Sequence, residues 1–282
     1  MRISLERDFD TDRDNKTISK REGEKMLEEG IRKLAMMQDK LYAHNQYSVL
    51  IVLQAMDAAG KDGAIKHVMS GLNVQGVRVA SFKVPSSQEL DHDYFWRHYK
   101  ELPPRGEIGI FNRSHYENVL VTRVHPEFIL NENLPGVNTL KDINTDFWER
   151  RFKQINRFEK NLAENGTIIL KFFLHVSKNE QKKRFLERID NPEKNWKFSL
   201  ADVEERKYWN QYMEAYEEML PATSTEEAPW FVIPADDKWY SRLIISAIIT
   251  EQFEKLKLSY PKVSKAQLEK LQLAKKGLLA EK

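Results

Sequence analysis

At 282 residues, with 41% hydrophobic and 31% charged residues, the chain is long enough for one large domain or two small ones and apolar enough for a sizeable core. Its 45 basic residues nearly balance 43 acidic ones, and the formal charge of +2 argues against a simple nucleic-acid coat protein. With no cysteine, disulfides and thiolate chemistry are excluded; with no apolar signal core at the start and no bilayer-length apolar run, a soluble cytoplasmic protein with no nucleic-acid or membrane partner is expected.

Residues 1–18 are polar and are expected to hug the surface or fray. Ser19-Lys20-Arg21-Glu22 is a capping-box pattern that opens a helix to about Tyr42, with Leu27, Ile31, Leu34 and Leu41 on one face. A buried strand follows at about 47–56, then a small-residue turn and a helix carrying Ile65, Val68, Met69 and Leu72. Val77–Phe82 reads as a second strand, Asp91–Lys100 as helix, and Glu107–Phe111 as a third strand. The stripe Ile143, Phe147, Trp148, Phe152, Ile155, Phe158 and Leu162 predicts a helix over about 142–165, stopped by Asn165-Gly166. Thr167–Val176 is the strongest strand after the first, and Ser177-Lys178-Asn179-Glu180 reads as another capping box. Pro229–Pro234 supplies a fifth strand and Lys238–Leu256 a helix; Ser264 caps a last one. Strands alternating with helices predict an α/β fold, a mostly parallel five-stranded sheet covered on both faces, with ligands beyond the carboxyl ends of the strands. The simplest organisation is one domain over 1–282, with an N-terminal helical extension at about 1–44 and a helical excursion at about 177–220.

The turn after the first strand carries the chemistry. Strand, small residues, Gly60-Lys61 and helix form the context of a phosphate-binding loop of pattern G-x-x-x-x-G-K-[ST]. Backbone at Ala58, Ala59, Gly60 and Gly63 would cradle phosphate, and Lys61 adds a point charge. Ala55 stands where the first glycine is usual, and Asp62 where a hydroxyl is usual. Asp57 adds a second carboxylate, so the loop suggests a metal-bridged phosphoryl site with Asp57 and Asp62 as metal ligands. The plainer alternative is a Gly-Lys turn with a solvated aspartate at the helix start. The third strand ends in Asn112, whose amide suits a phosphate or a metal-bound water. Arg113 is placed to neutralise transferring phosphate oxygens. Glu117 restores a carboxylate, or is an ordinary helix N-terminal acid. His115 is expected to pack or cap rather than to act as a base.

D-A-A-G-K-D-G at 57–63, S-F-K-V-P-S at 81–86, E-L-D-H-D at 89–93 and F-N-R-S-H-Y-E at 111–117 together resemble the polyphosphate kinase 2 family. The resemblance runs from about residue 45 to the Trp230–Trp239 region. It implies a thymidylate-kinase-like P-loop fold, a three-layer αβα sandwich with a helical lid. It also implies phosphoryl transfer between inorganic polyphosphate and nucleotides with Mg²⁺ or Mn²⁺. Asp57, Lys61, Asp62 and Arg113 carry over as the catalytic core, and Asn112 and Glu117 fall to the nucleotide. Many members have F-D-R-S; Asn112 departs from that and looks like the class III branch, which accepts AMP and ADP. Dimers or tetramers are implied.

Residues 177–210 fit a lid. Arg184 and Arg188 share a helix face as a mobile pair, at least one of which is expected to clamp the polyanion, with a surface pair between Glu180 and Arg184 as the alternative. Trp196 and Trp209 are expected to pack. Lys66 and Arg123 are candidates for a basic track along the donor, although Asp62 and Lys66 also suit a helix-surface ion pair. The expected reaction is direct in-line transfer to AMP or ADP, giving ADP or ATP. The rivals are an ATP-dependent small-molecule or nucleoside kinase of the same fold, a slow nucleotide-dependent switch, and a non-catalytic polyanion- or nucleotide-binding protein.

Overall fold

Val49, Leu50, Ile51, Val52 and Leu53 follow one another without a polar break, and all five are buried. Such a run suits a strand covered on both faces. It lies in β1 (Ser48–Ala55), followed along the chain by β2 (Val77–Ser81), β3 (Ile108–Asn112), β4 (Thr167–His175) and β5 (Trp230–Pro234). The five strands form one sheet of order β2-β3-β1-β4-β5, and every pairing is parallel. The computed structural model describes residues 3–12 and 18–281.

The helices, in chain order, begin with α1 (Leu5–Asp8), α2 (Lys20–His44) and α3 (Lys61–Val68). Then come α4 (Ser87–Leu90), α5 (Trp96–Tyr99), α6 (Glu117–Val124), α7 (Glu127–Leu130) and α8 (Thr145–Glu164). The C-terminal half holds α9 (Lys178–Asp190), α10 (Leu200–Glu205), α11 (Trp209–Thr223), α12 (Lys238–Lys255) and α13 (Lys265–Ala280). One layer is α2 and α3 packed on α12; the other is α6 and α8 packed on α11. With the sheet between them, this is the parallel α/β sheet covered on both faces that the sequence predicts, and the three-layer P-loop kinase architecture that the resemblance implies.

Local rules account for most boundaries. Ser19 and Glu22 cap α2 reciprocally, and Asn45 closes it in the left-handed region. Gly23 lets α2 approach α12, because a Cβ there would sit 2.2 Å from the Trp239 ring. Asn144 caps α8 and Asn165 ends it. At the 177–180 pattern only half of the predicted box forms: Ser177 accepts from the Glu180 N–H, while the Glu180 carboxylate turns to Arg184.

Three expectations need correction. Asp91–Lys100 is not one helix. Asp93 instead accepts from the Phe95 N–H in a turn, and α4 and α5 are single turns on either side. The start of the chain does more than hug the surface. Leu5 is buried in the core, its N–H bonds Glu217 of α11, and Thr11 O accepts from the Asp236 N–H. Residues 1–2 and 13–17 lie outside the described residues. Trp209 packs as expected, but Trp196 is 77% exposed. No helix among the described residues is long and apolar enough to cross a membrane.

Candidate active site

Parallel pairing brings the ends of β1 and β3 side by side, with Leu53 opposite Asn112. The segments that leave these strands therefore meet at the carboxyl edge of the sheet, where ligands of such sheets sit. After β1 the backbone turns sharply. Ala58 has φ 59° and Gly60 has φ 115°, so both are in the left-handed region, which glycine enters without steric cost. Lys61 begins α3, and its Nζ folds back to donate to the Ala55 carbonyl at 2.8 Å. Burial pushes the Lys61 ammonium below its ordinary value, while the Asp57 charge pulls it back up. The first N–H groups of α3 face away from any carbonyl of their own helix, which is the anion-binding property of a helix start.

The turn after β3 reaches into this loop with two successive side chains. Asn112 Nδ2 donates to Asp62 Oδ1 at 2.7 Å. Arg113, itself at φ 62°, donates from Nη2 to Asp57 Oδ1 at 2.8 Å, and its Nη1 lies 3.6 Å from Glu117. Burial works against the Arg113 charge, but Glu117 and Asp57 outweigh it and hold its pKa above the ordinary value. Burial raises the pKa of Glu117 despite Arg113 and Lys61 nearby. Asp57, Lys61, Asp62, Asn112, Arg113 and Glu117 thus meet at one edge. Asp57, Arg113 and Glu117 line a cleft shared with Gln181, Asp202, Arg206, Tyr212 and Tyr216. Ala58, Ala59 and Gly60 belong to the loop itself, and Gly63 to the first turn of α3.

Other candidates are placed differently. Arg184 is 3% exposed and all five of its N–H groups are taken. Nε donates to Glu180, Nη1 to the carbonyls of Ala58 and Ala59, and Nη2 to those of Ala235 and Asp236. It is therefore no mobile clamp. It is a strut that ties α9 to the back of the loop, because an arginine fork is the one side chain able to satisfy so many carbonyls. Arg188 is half-buried, 3.7 Å from Asp202 and 3.4 Å from the Lys197 carbonyl, at the edge of the cleft. Arg123 leaves the expected basic track: it pairs with Glu218 of α11 at 2.6 Å and lies over the Trp148 ring, joining α6 to α11 and α8. Lys66 is exposed on α3, and Asp62 takes Asn112 rather than Lys66 as its partner.

Some residues of the site escaped the sequence reading. Gln181 donates to the Asp57 carbonyl at 2.9 Å and accepts from Arg206 at 2.6 Å. Arg242 of α12 approaches the loop closely enough that a Cβ on Gly63 would lie 3.3 Å from its Nη2. Only long-range packing brings these residues in, so no local motif marks them. Among the described residues, no group of three or more His, Cys, Asp or Glu side chains is assembled to hold a metal ion.

The match to known proteins is extensive. The polyphosphate kinase 2 (PPK2) family model matches residues 17–261. The chain belongs to the polyphosphate kinase 2 family. An ADP-polyphosphate phosphotransferase of Rhodopseudomonas palustris is 51% identical over 261 residues, covering 93% of this chain and 89% of that protein. An AMP/ADP-polyphosphate phosphotransferase of Meiothermus ruber is 51% identical over 230 residues, covering 82% of this chain and 80% of that one. The crystal structure of polyphosphate kinase 2 from Arthrobacter aurescens TC1 superposes with a TM-score of 0.86 at 38% identity, over 96% of this chain and 93% of that one. Within the polyphosphate kinase 2 frame, the acids of the loop and the Asn112-Arg113 turn occupy the sheet edge where phosphoryl chemistry is expected.

Proposed function

We propose that this cleft transfers phosphoryl groups between inorganic polyphosphate and AMP or ADP, forming ADP or ATP. The observation that carries the reading is the double reach of the β3 turn, with Asn112 on Asp62 and Arg113 on Asp57. Two cations and three carboxylates gather at that sheet edge, and Asp57, Arg113 and Glu117 among them line the cleft. The close relatives named for ADP and AMP/ADP transfer support the acceptors, and Asn112 supports the class III assignment.

In this reading the loop backbone from Ala58 to Gly63 and the side chain of Lys61 hold the donor phosphates, with Lys66 further along. Arg113 neutralises the phosphoryl group in transit, and Glu117 and Asn112 orient the acceptor. An acceptor phosphate oxygen is ionised at neutral pH, so no strong base is needed and positioning carries the chemistry. The donor set suits a hard divalent cation: Mg²⁺ is commonly held by one or two carboxylates together with substrate phosphates. Asp57 and Asp62 would hold it, whether Mg²⁺ or Mn²⁺. When bound, the ion supplies charge neutralisation between donor and acceptor.

The segment from α9 to α11 serves as the lid, with Arg188 rather than Arg184 as its phosphate-facing arginine. Exposed Met26 and Met36 on α2 and the bare leucines of α13 support a homo-oligomer, dimer or tetramer. The cytoplasm, where adenine nucleotides are plentiful, is the fitting compartment. The test is incubation with polyphosphate, Mg²⁺ and AMP or ADP in the absence of ATP, followed by separation of products. ADP or ATP must appear. A chain that makes neither, yet phosphorylates a small molecule from ATP, is the rival kinase of the same fold.

A further inference from the structure

Behind the cleft lies a buried ionic cluster that the reaction does not touch. Lys171, in the middle of β4, is wholly buried, and its Nζ uses all three donors. They go to Glu159 Oε2 at 2.6 Å, the Tyr116 hydroxyl at 2.7 Å and the Thr223 carbonyl at 2.7 Å. Glu159 of α8 is equally buried, and its Oε1 meets His115 Nε2 at 3.1 Å and the Tyr116 hydroxyl at 2.7 Å. Burial opposes the Glu159 charge, but Lys171 and His115 outweigh it and hold the carboxyl below its usual value. A buried pair of this kind is weak support for stability, since apolar residues of similar volume commonly do as well.

The location of the pair suggests another purpose. His115 and Tyr116 follow directly after Arg113 and Ser114. Arg113 has φ 62°, a conformation that is costly for a residue with a Cβ and persists only where neighbours enforce it. On one side its N–H bonds the Leu53 carbonyl at 3.1 Å. Ser114 is held by the Gln54 amide, also at 3.1 Å. The next two side chains both end on Glu159. We propose that the Glu159–Lys171 pair is a positioning device that anchors His115 and Tyr116 and thereby holds the strained turn that aims Arg113 at Asp57. The third Lys171 bond, to the end of α11, ties the same anchor to the helix that carries Tyr212 and Tyr216 into the cleft.

This inference rests on the proposed role of Arg113, so its test has a structural arm and a kinetic arm. Glu159→Gln with Lys171→Met removes both charges together and keeps the volumes close. Tyr116→Phe leaves the Glu159–Lys171 contact and the His115 link in place, and removes the Tyr116 link to the turn together with one Lys171 acceptor. In crystal structures of these variants the Arg113–Asp57 pair should be broken or displaced; finding it unmoved in both overturns the inference whatever the enzyme does. In the transfer of phosphate from polyphosphate to ADP, kcat should fall by about 10²-fold in the double variant and about tenfold in Tyr116→Phe, with KM for ADP little changed. The same changes made on Arg113→Lys should cost almost nothing further, because the group being aimed is already gone. Equal losses in both backgrounds would mean that the cluster only stabilises the core, and would reject the assignment. If the double variant does not fold, Tyr116→Phe alone decides. A wild-type chain inactive with polyphosphate would remove the proposed function, while the crystallographic arm would still judge the anchoring.

Discussion

At the loop and the β3 turn, polar side chains meet carboxylates at partly exposed positions: the Arg113 cation on Asp57 and Glu117, and the neutral Asn112 amide on Asp62. In the α9–α11 segment the most buried arginine meets only one carboxylate and otherwise four backbone carbonyls. The first kind of contact can be exchanged for a phosphate oxygen at small cost, since each partner keeps access to water. The second cannot, because withdrawing Arg184 would strand buried carbonyls. Two arginines one helical turn apart on α9 therefore differ: Arg184 shapes the loop, and Arg188, paired with Asp202 at the cleft edge, is the one we propose for a ligand.

Substitutions can break or sharpen that contrast. The largest effect is expected in the loop: Lys61→Ala or Asp62→Ala should lower kcat by about 10²–10³-fold, in line with the loss of one preorganised charge contact. Near-normal turnover by either folded variant, measured with polyphosphate and ADP, would reject the site. Arg184→Lys comes next. One ammonium cannot serve the carbonyls that the guanidinium serves, so urea unfolding should show a loss of about 2 kcal/mol or more. If Arg184→Lys instead unfolds like the parent, the strut description is wrong. Arg188→Ala should do the reverse, lowering turnover about tenfold while stability stays within about 0.5 kcal/mol.

The smallest effect concerns pH. Because burial raises its pKa, Glu117 takes up a proton at a higher pH than an exposed carboxylate does. Falling pH thus strips Arg113 of one anionic partner early, and the acid limb of kcat/KM for ADP should begin above the ordinary carboxylate range. Glu117→Gln should move that limb to lower pH. Titration of the substrate phosphates is common to both proteins and cancels in the comparison, so superimposable profiles would exclude Glu117 as the group responsible.

The strands were legible because apolar runs such as 49–53 leave few options, and the long helices because their stripes and caps agree. The loop was legible from Gly60-Lys61 in its strand–helix setting. Arg184 was misread for a physical reason. The i,i+4 spacing from Glu180 was visible, and that pair does form at 2.8 Å, but the four carbonyls come from residues 58, 59, 235 and 236, far away in sequence. Arg123 was misread likewise, since Glu218 lies on a helix that only the tertiary fold brings alongside. Lys171 did leave a trace: a lone cation in the otherwise apolar run Ile168–Leu174 asks for a buried partner. Which acid answers it could not be read locally.

The docking of Leu5 and Thr11 has a bearing on handling the protein. Thr11 O accepts from the Asp236 N–H at 2.8 Å, Asp236 O accepts from Arg184, and Arg184 donates in turn to Ala58. Residue 11 is thus two relays from the phosphate loop. Clipping the head with a protease, or fusing a bulky affinity tag against Leu5, would disturb the far end of that tether, and a loss of turnover after such treatment should not be mistaken for damage to the catalytic groups themselves.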